Sequence, residues 1–291
     1  MQERLLQESL CYTENQMRIS SRTIIASSIT LCLVAGFFFA SRNKNMVALF
    51  QRNVDFFAFY QNLANPYIRY VRIPEGLRKE EVADIYAHTL AWNDQDVKQF
   101  LGDSGTTQSD LEGYYFPSTY ILPVDASGED VKNAMLDKFD KNVTSVTNSK
   151  NDVIDKNKVS MDTILKVASL IQREAAGKQD MNLISGIIWN RIWNGMSLDI
   201  DATLQYAKGT DANGWWPQVL SKDKNINSPY NTYKNEGLPP TPIANPGLDA
   251  IKAAYNPTKT NCIFYFHDNN HQIHCSKTYE QHKSLIAEYL K

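Results

Sequence analysis

The stretch "ASLIQREAAG", Ala168–Gly177, puts a carboxylate, Glu174, on what otherwise reads as the apolar side of a helix. At about 100° per residue, Glu174 projects within roughly 60° of Val167, Leu170 and Ile171, whereas Gln172 points nearly the opposite way, outward. Burial raises a carboxyl pKa, and a place in the last helical turn adds the repulsion of the helix C-terminus. Both effects keep the acid protonated near neutral pH, the state a general acid needs. The competing reading is a buried ion pair, for instance with Arg191 on the next helix, that merely orients two helices. Position alone favours the ion pair, since structural pairs also produce such sites, and what shifts the reading lies downstream.

A second candidate is the proline-rich loop "NSPYNTYKNEGLPPTPIANPG", Asn227–Gly247. Loops this long inside a compact domain are uncommon unless they do something, and the prolines hold it stiff, which reduces the entropy lost on ordering around a ligand. Tyr230 and Tyr233, with Asn231 between them, offer ring faces and hydrogen-bonding groups, a mixture that suits sugar rings. The plainer reading is a rigid structural loop over a core.

These groups need elements to position them. "YIRYVRIPEG" alternates as a strand closed by a turn, "LRKEEVADIYAHTLA" has the spacing of an amphipathic helix, "DQDVKQFLG" predicts a short helix ending at Gly102, and "YYFPSTYILP" returns as a strand. The order strand, helix, helix, strand makes a compact module over 66–123. Residues 128–157 are polar, with Val131, Met135, Leu136 and Phe139 on one helical face and a surface hairpin or loop after them. Ser160 is the expected N-cap of a helix running to Gly177, with Asp162 in its positive first turn. "MNLISGIIWNRIWNG" follows as a second helix stopped by Gly195, and "DATLQYAKG" as a short third. No internal repeat is visible.

The chain has 291 residues, 43% hydrophobic and 21% charged, enough for one large or two modest globular units. A net charge of -2 and a pI near 6.2 give no bulk electrostatic reason to bind nucleic acid, and that class is set aside. "TIIASSITLCLVAGFFFAS", Thr23–Ser41, carries no charge and matches the ~20 residues a helix needs to cross a bilayer. A cleaved signal peptide is the rival, but its apolar stretch usually runs about 7–15 residues. Arg18 and Arg22 before the span are matched by Arg42, Lys44 and Arg52 after it, so the charges do not decide orientation. Residues 1–22 precede the span and 42–65 read as a connector.

Cys262 and Cys275 flank "IFYFHDNNHQIH", which reads as two strands around an Asp-Asn-Asn turn. Such a hairpin admits a disulfide in an oxidising compartment. His267, His271, His274 and His282 crowd the same segment, but their spacing fits no standard zinc pattern, so no metal and no cofactor is expected. A polar hairpin is the plainer reading, with His282 on the terminal helix near the cleft rim.

Taken in order and spacing, "LEGYYFPSTY", "ASLIQREAA", "GIIWNRIWNGMSLDIDATLQYA", "SPYNTYKNEGLPPTPIANPGLDAIKAA" and "CSKTYEQHK" resemble the endolytic murein transglycosylases of the MltG (YceG-like) family over about residues 66–291. The family's helix motif usually reads Ala-Ser-Ile-Val-Glu-Lys-Glu with the second Glu catalytic, which falls on Glu174; the first becomes Gln172. Its Asp-Pro-Thr appears as Asp201-Ala202-Thr203. The resemblance implies an α+β fold: a single transmembrane helix (23–41), a LysM-like module of βααβ order (66–123) and a mainly helical catalytic domain (124–291) with a short β hairpin, lying outside the cytoplasm.

It also implies a membrane-anchored enzyme that cuts peptidoglycan strands internally, with Glu174 as acid and then base. The substrate contacts expected are Glu112 and Asp201, as supports for sugar or developing positive charge, with Asn190, Arg191 and Thr203 beside them. Tyr230, Asn231, Tyr233 and Pro240 supply the loop's share. Cell-wall synthases are the expected protein partners. Two other classes stay open: an anchored peptidoglycan-binding protein without catalysis, and a glycan hydrolase with a second carboxylate.

Topology is testable directly. Asn225→Cys should react with a membrane-impermeant thiol reagent on intact cells. Protection of that site until lysis would place the bulk of the chain on the other side of the membrane.

Overall fold

The computed structural model describes residues 66–102, 111–147, 154 and 158–290. The expected membrane span, the segment before it and the connector lie outside these residues. Among the described residues no helix is long and apolar enough to cross a membrane.

The fold is α+β, with eight α-helices and two two-stranded sheets among the described residues. Strand β1 (Ile68–Arg72) pairs with β2 (Thr119–Pro123), and between them run α1 (Lys79–Leu90) and α2 (Asp94–Leu101). The βααβ order expected for 66–123 is therefore present. Asn93 caps α2 by accepting from the backbone N–H groups of Gln95 and Asp96, and Gly102, in the left-handed region, ends it. The second strand is shorter than the sequence suggests. Residues 111–118 turn instead of extending, because Gly113 takes a φ of 90° and wraps against Pro242, where a Cβ would stand 2.7 Å away.

Helix α3 (Gly128–Thr147) is longer than its apolar face predicts, and it serves two cores. Val131 and Met135 join a cluster with Val71, Val82, Tyr86, Phe100 and Tyr115, while Phe139, Val143 and Val146 join the larger cluster around the helix 161–174. Residues 69–291 accordingly form one unit with two apolar centres. The larger core is built by α4 (Met161–Glu174), α5 (Lys178–Trp193), α6 (Asp201–Lys208) and α7 (Leu248–Tyr255). Ser160 caps α4 as expected, accepting from Thr163 N at 3.2 Å. The chain ends in an antiparallel hairpin, β3 (Phe264–His267) with β4 (Ile273–Ser276), and a terminal helix, α8 (Tyr279–Tyr289).

One buried residue stitches these parts together. Asn245, in the "PIANPG" run, is fully buried, and its side-chain oxygen accepts from Gly113 N and Tyr115 N, each at 2.9 Å. Its amide donates to Leu77 O (3.0 Å) and Glu112 Oε1 (2.8 Å). Its backbone exchanges hydrogen bonds with Gly76 and Leu77. On either side of it, Ile243 N donates to Ser169 Oγ and Gly247 N to Gln172 Oε1, which lays the run along α4.

Asn245→Ala would remove the acceptor shared by Gly113 N and Tyr115 N and one of the donors to the buried Glu112 carboxylate, which keeps Lys79 N. Unsatisfied buried groups cost about 1–3 kcal/mol each. We expect a loss of at least about 2–3 kcal/mol, seen as a fall in Tm of roughly 5–10 °C. An unchanged melt would show that the network is replaceable.

Candidate active site

Glu174 is the last residue of α4, and Ala175 caps the helix in an extended conformation. The seven apolar or small residues Ile164, Leu165, Val167, Ala168, Ser169, Leu170 and Ile171 bury the helix and fix its register, so the acid at its end has little freedom. Glu174 keeps access to a cleft while protein encloses it closely enough for desolvation to dominate its ionisation. Burial pushes its pKa above the ordinary 4.5, and Asp201 nearby pushes the same way. The Tyr265 hydroxyl, with His267 and Arg173, opposes the shift. Tyr265 Oη donates to Glu174 Oε2 at 2.6 Å.

The expectation that Gln172 faces solvent is corrected here. It is half-buried, accepts from Gly247 N at 2.9 Å and packs near Gly76, because the 243–247 run lies along that side of α4. Arg173 lies over the Trp216 ring at 3.7 Å, and Trp216 Nε1 donates to Glu81 Oε2.

The cleft beside Glu174 holds about 470 Å³. Arg191, Asp199, Lys224, Tyr265 and His267 line it, together with the rings of Phe264, Phe266, Tyr279 and His282. His282 thus stands at the cleft, as the sequence suggested. Asp199 takes a φ of 55°, a left-handed conformation that side chains other than glycine adopt at some cost, and its carboxylate meets Arg191 at 3.0 Å.

Arg191 does not pair with Glu174. Its guanidinium donates to Ile263 O (2.7 Å), Ser197 O (3.0 Å), Leu198 O (2.8 Å) and Asp199 Oδ2. The buried-ion-pair reading of Glu174 therefore loses its partner. Asn190 has a related task, donating to Thr260 O and Cys262 O. With Asn182, which exchanges hydrogen bonds with Asn256 and Thr258, and Gly186, whose missing side chain admits Thr258 O, these residues form an i, i+4, i+8 stripe on α5. The stripe zips the extended segment 256–262 onto the helix and delivers it to β3. Cys262 and Cys275 are joined in a disulfide, Cα to Cα 5.8 Å, and Cys275 is the cross-strand partner of Tyr265.

Asp201 and Tyr233 form a second pair within electrostatic reach of Glu174, outside the residues that line the cleft. Tyr233 Oη donates to Asp201 Oδ1 at 2.7 Å, and both act electrostatically on Glu174 or feel it. Thr203 is buried and contributes through structure: its hydroxyl donates to Ile200 O and meets Thr232 Oγ1, which fixes the start of α6 and hence Asp201. Asn231, fully buried, holds the loop closed on Lys224 O and Ile226 O and accepts from Tyr233 N. Tyr230 packs on Tyr206 with its hydroxyl on Thr241, facing the core. Pro240 is exposed on the loop and is not among the cleft-lining residues.

Glu112 is the expectation that the geometry moves furthest. It is fully buried, accepts from Lys79 N at the start of α1 and from Asn245, and so does not reach the cleft. A carboxylate favoured by the positive end of a helix serves as a cap, and the sequence could not distinguish that use from substrate support. Conversely, Tyr265 was missed. The signal was available in the alternation of "IFYFH", which sets Tyr265 and His267 on the face opposite Phe264 and Phe266. Nothing local said which face would meet Glu174. Two further histidines have carboxylate neighbours: His267 Nε2 lies 3.2 Å from Asp180, and His274 Nε2 lies 2.9 Å from Asp268. Among the described residues no three metal-ligating side chains converge.

The model of the YceG-like family matches residues 20–288. The endolytic murein transglycosylase of Bacillus subtilis (strain 168) is 31% identical over 277 residues, which is 88% of this chain and 73% of the relative. That of Streptococcus pneumoniae (strain D39) is 34% identical over 193 residues, 65% of this chain and 34% of the longer relative. A crystal structure of a yceG-like protein from Listeria monocytogenes superposes with a TM-score of 0.65 at 29% identity, covering 74% of this chain and 75% of that one. With a match from one end of the chain almost to the other, and with its acid at the end of the buried helix, the chain belongs to the YceG-like family.

Proposed function

We propose that the chain is a membrane-anchored endolytic transglycosylase of peptidoglycan, cutting the β-1,4 bond between MurNAc and GlcNAc inside glycan strands. The observation that carries this reading is the enclosed Glu174 carboxyl, biased toward its protonated form by burial and open to a polar, ring-lined cleft. A carboxyl in that state delivers a proton to the glycosidic oxygen as the C1–O bond breaks. The resulting carboxylate takes the proton of the MurNAc 6-hydroxyl, whose oxygen closes on C1. No water is consumed, and the product ends in 1,6-anhydro-MurNAc.

Asp201 supports the developing positive charge in this scheme, held in place by Tyr233. The rings of Phe264 and Tyr279 offer faces to the sugars. The apolar span 23–41 anchors the enzyme, the 66–123 module serves as a LysM-like grip on the strand, and cutting beside the glycan synthases limits the length of new strands. Asp201 also favours a second reading, hydrolysis, in which it would act as the partner carboxylate.

Glu174→Gln should lower cleavage of purified strands by at least about 10²–10⁴-fold, because Gln cannot deliver a proton. Mass spectrometry of wild-type products should find anhydro termini. Reducing termini, heavier by one water, would establish a hydrolase, and no cleavage at all would leave a binding protein.

The same variant has a stability signature. A carboxyl whose folded pKa is raised contributes stability that is present below its unfolded pKa and lost as pH rises through the folded one. Glu174→Gln lacks that loss. Relative to wild type its melting temperature should therefore rise as pH increases from about 4 to neutrality. A Glu174→Gln variant that melts well below wild type at pH 7 would restore a structural ion pair.

A further inference from the structure

We propose that Tyr265 is a positioning residue that decides which oxygen of Glu174 handles the catalytic proton. Its hydroxyl holds Oε2 as an acceptor, at 2.6 Å, and leaves Oε1 to carry the proton and to recover it. The proposal rests on the transglycosylase reading above.

A neutral carboxyl has one hydroxyl and one carbonyl oxygen. An oxygen that accepts a short hydrogen bond from a phenol is the carbonyl oxygen, so the proton resides on the other. Tyr265 remains a donor throughout, because burial, and then Glu174 itself, push its ionisation well above the ordinary phenol value. The other groups facing Glu174 have different partners. Asp201 accepts from Tyr233, His267 lies against Asp180, and Arg173 lies over Trp216. Among the described residues, the hydrogen bond to the Glu174 carboxylate comes from Tyr265.

The phenol is also held rigidly. Its strand is fixed by Asn190 and Arg191 on the carbonyls of residues 260, 262 and 263, and its cross-strand neighbour Cys275 is tied to Cys262. In the reaction the Oε1–H bond breaks as the proton passes to the bridging oxygen, which leaves with the C1–O electron pair. The carboxylate, its charge stabilised through Oε2 by Tyr265, then accepts the proton of the 6-hydroxyl on Oε1 while that oxygen bonds to C1. Glu174 and Tyr265 both end as they began.

The test is Tyr265→Phe in the full chain. A hydrogen bond to a charged group contributes about 1.5–3 kcal/mol, so kcat should fall roughly 10–100-fold with KM little changed. Loss of the donor also removes an effect that lowers the Glu174 pKa, so the high-pH limb of kcat/KM should move to higher pH. Repeating the profile in a His267→Gln background removes the neighbouring histidine from the titration. An unmoved limb with unchanged kcat, or a loss confined to KM, would overturn the proposal.

Infrared difference spectra on protein with 13C-labelled glutamate give a readout that needs no turnover. The carboxyl C=O band abolished by Glu174→Gln should shift to higher frequency in Tyr265→Phe. A band that does not move overturns the proposal. If the wild type cuts no glycan, the proposed function fails, and the band still decides whether Tyr265 holds Oε2.

Discussion

Burying an amide with every polar group engaged constrains a protein more than burying a hydrocarbon, because each partner must arrive at a set distance and direction. Asn245 imposes that constraint here. It binds residues 76–77, 112–115 and its own turn into one point, and the Glu112 carboxylate beside it also caps the first helix. The flanking residues Ile243 and Gly247 bond to Ser169 and Gln172, so the same turn sets the height and rotation of α4. The position of Glu174 follows from that.

A helix supplies the acid and a hairpin supplies the group that modulates it, from segments 91 residues apart in sequence. The hairpin is too short to hold its own geometry, since isolated two-stranded ribbons are marginal in water. It is held instead by a disulfide and by the polar stripe Asn182, Gly186, Asn190 and Arg191 on α5. Asn190, expected as a substrate contact, thus works one step behind the site, while Arg191 both lines the cleft and holds the hairpin. Rigid support of this kind matters because catalytic geometry tolerates displacements of well under an ångström.

Electrostatically, the cleft divides its labour. Glu174 is closely enclosed and resists ionisation, while Asp201 is exposed and takes its hydrogen bond from Tyr233. The left-handed backbone at Asp199 and its ion pair with Arg191 add a fixed, mutually neutralised pair of charges to the rim.

Periodicity and capping residues were enough to place α1, α2, α4 and its two successors, because amphipathic spacing and N-caps are local properties. The helical angle likewise put Glu174 on the buried face. Four outcomes were not local. Gln172 meets Gly247, Glu112 caps a helix out of reach of the cleft, Arg191 and Asn190 bind the hairpin backbone, and Tyr265 reaches Glu174. A sequence states which side chains can donate or accept; which of them meet depends on how helices and loops distant in the chain pack together. Residue type and spacing therefore determined the acid and the helix that bears it, whereas only tertiary packing, by choosing partners for each buried polar group, decided what surrounds that acid.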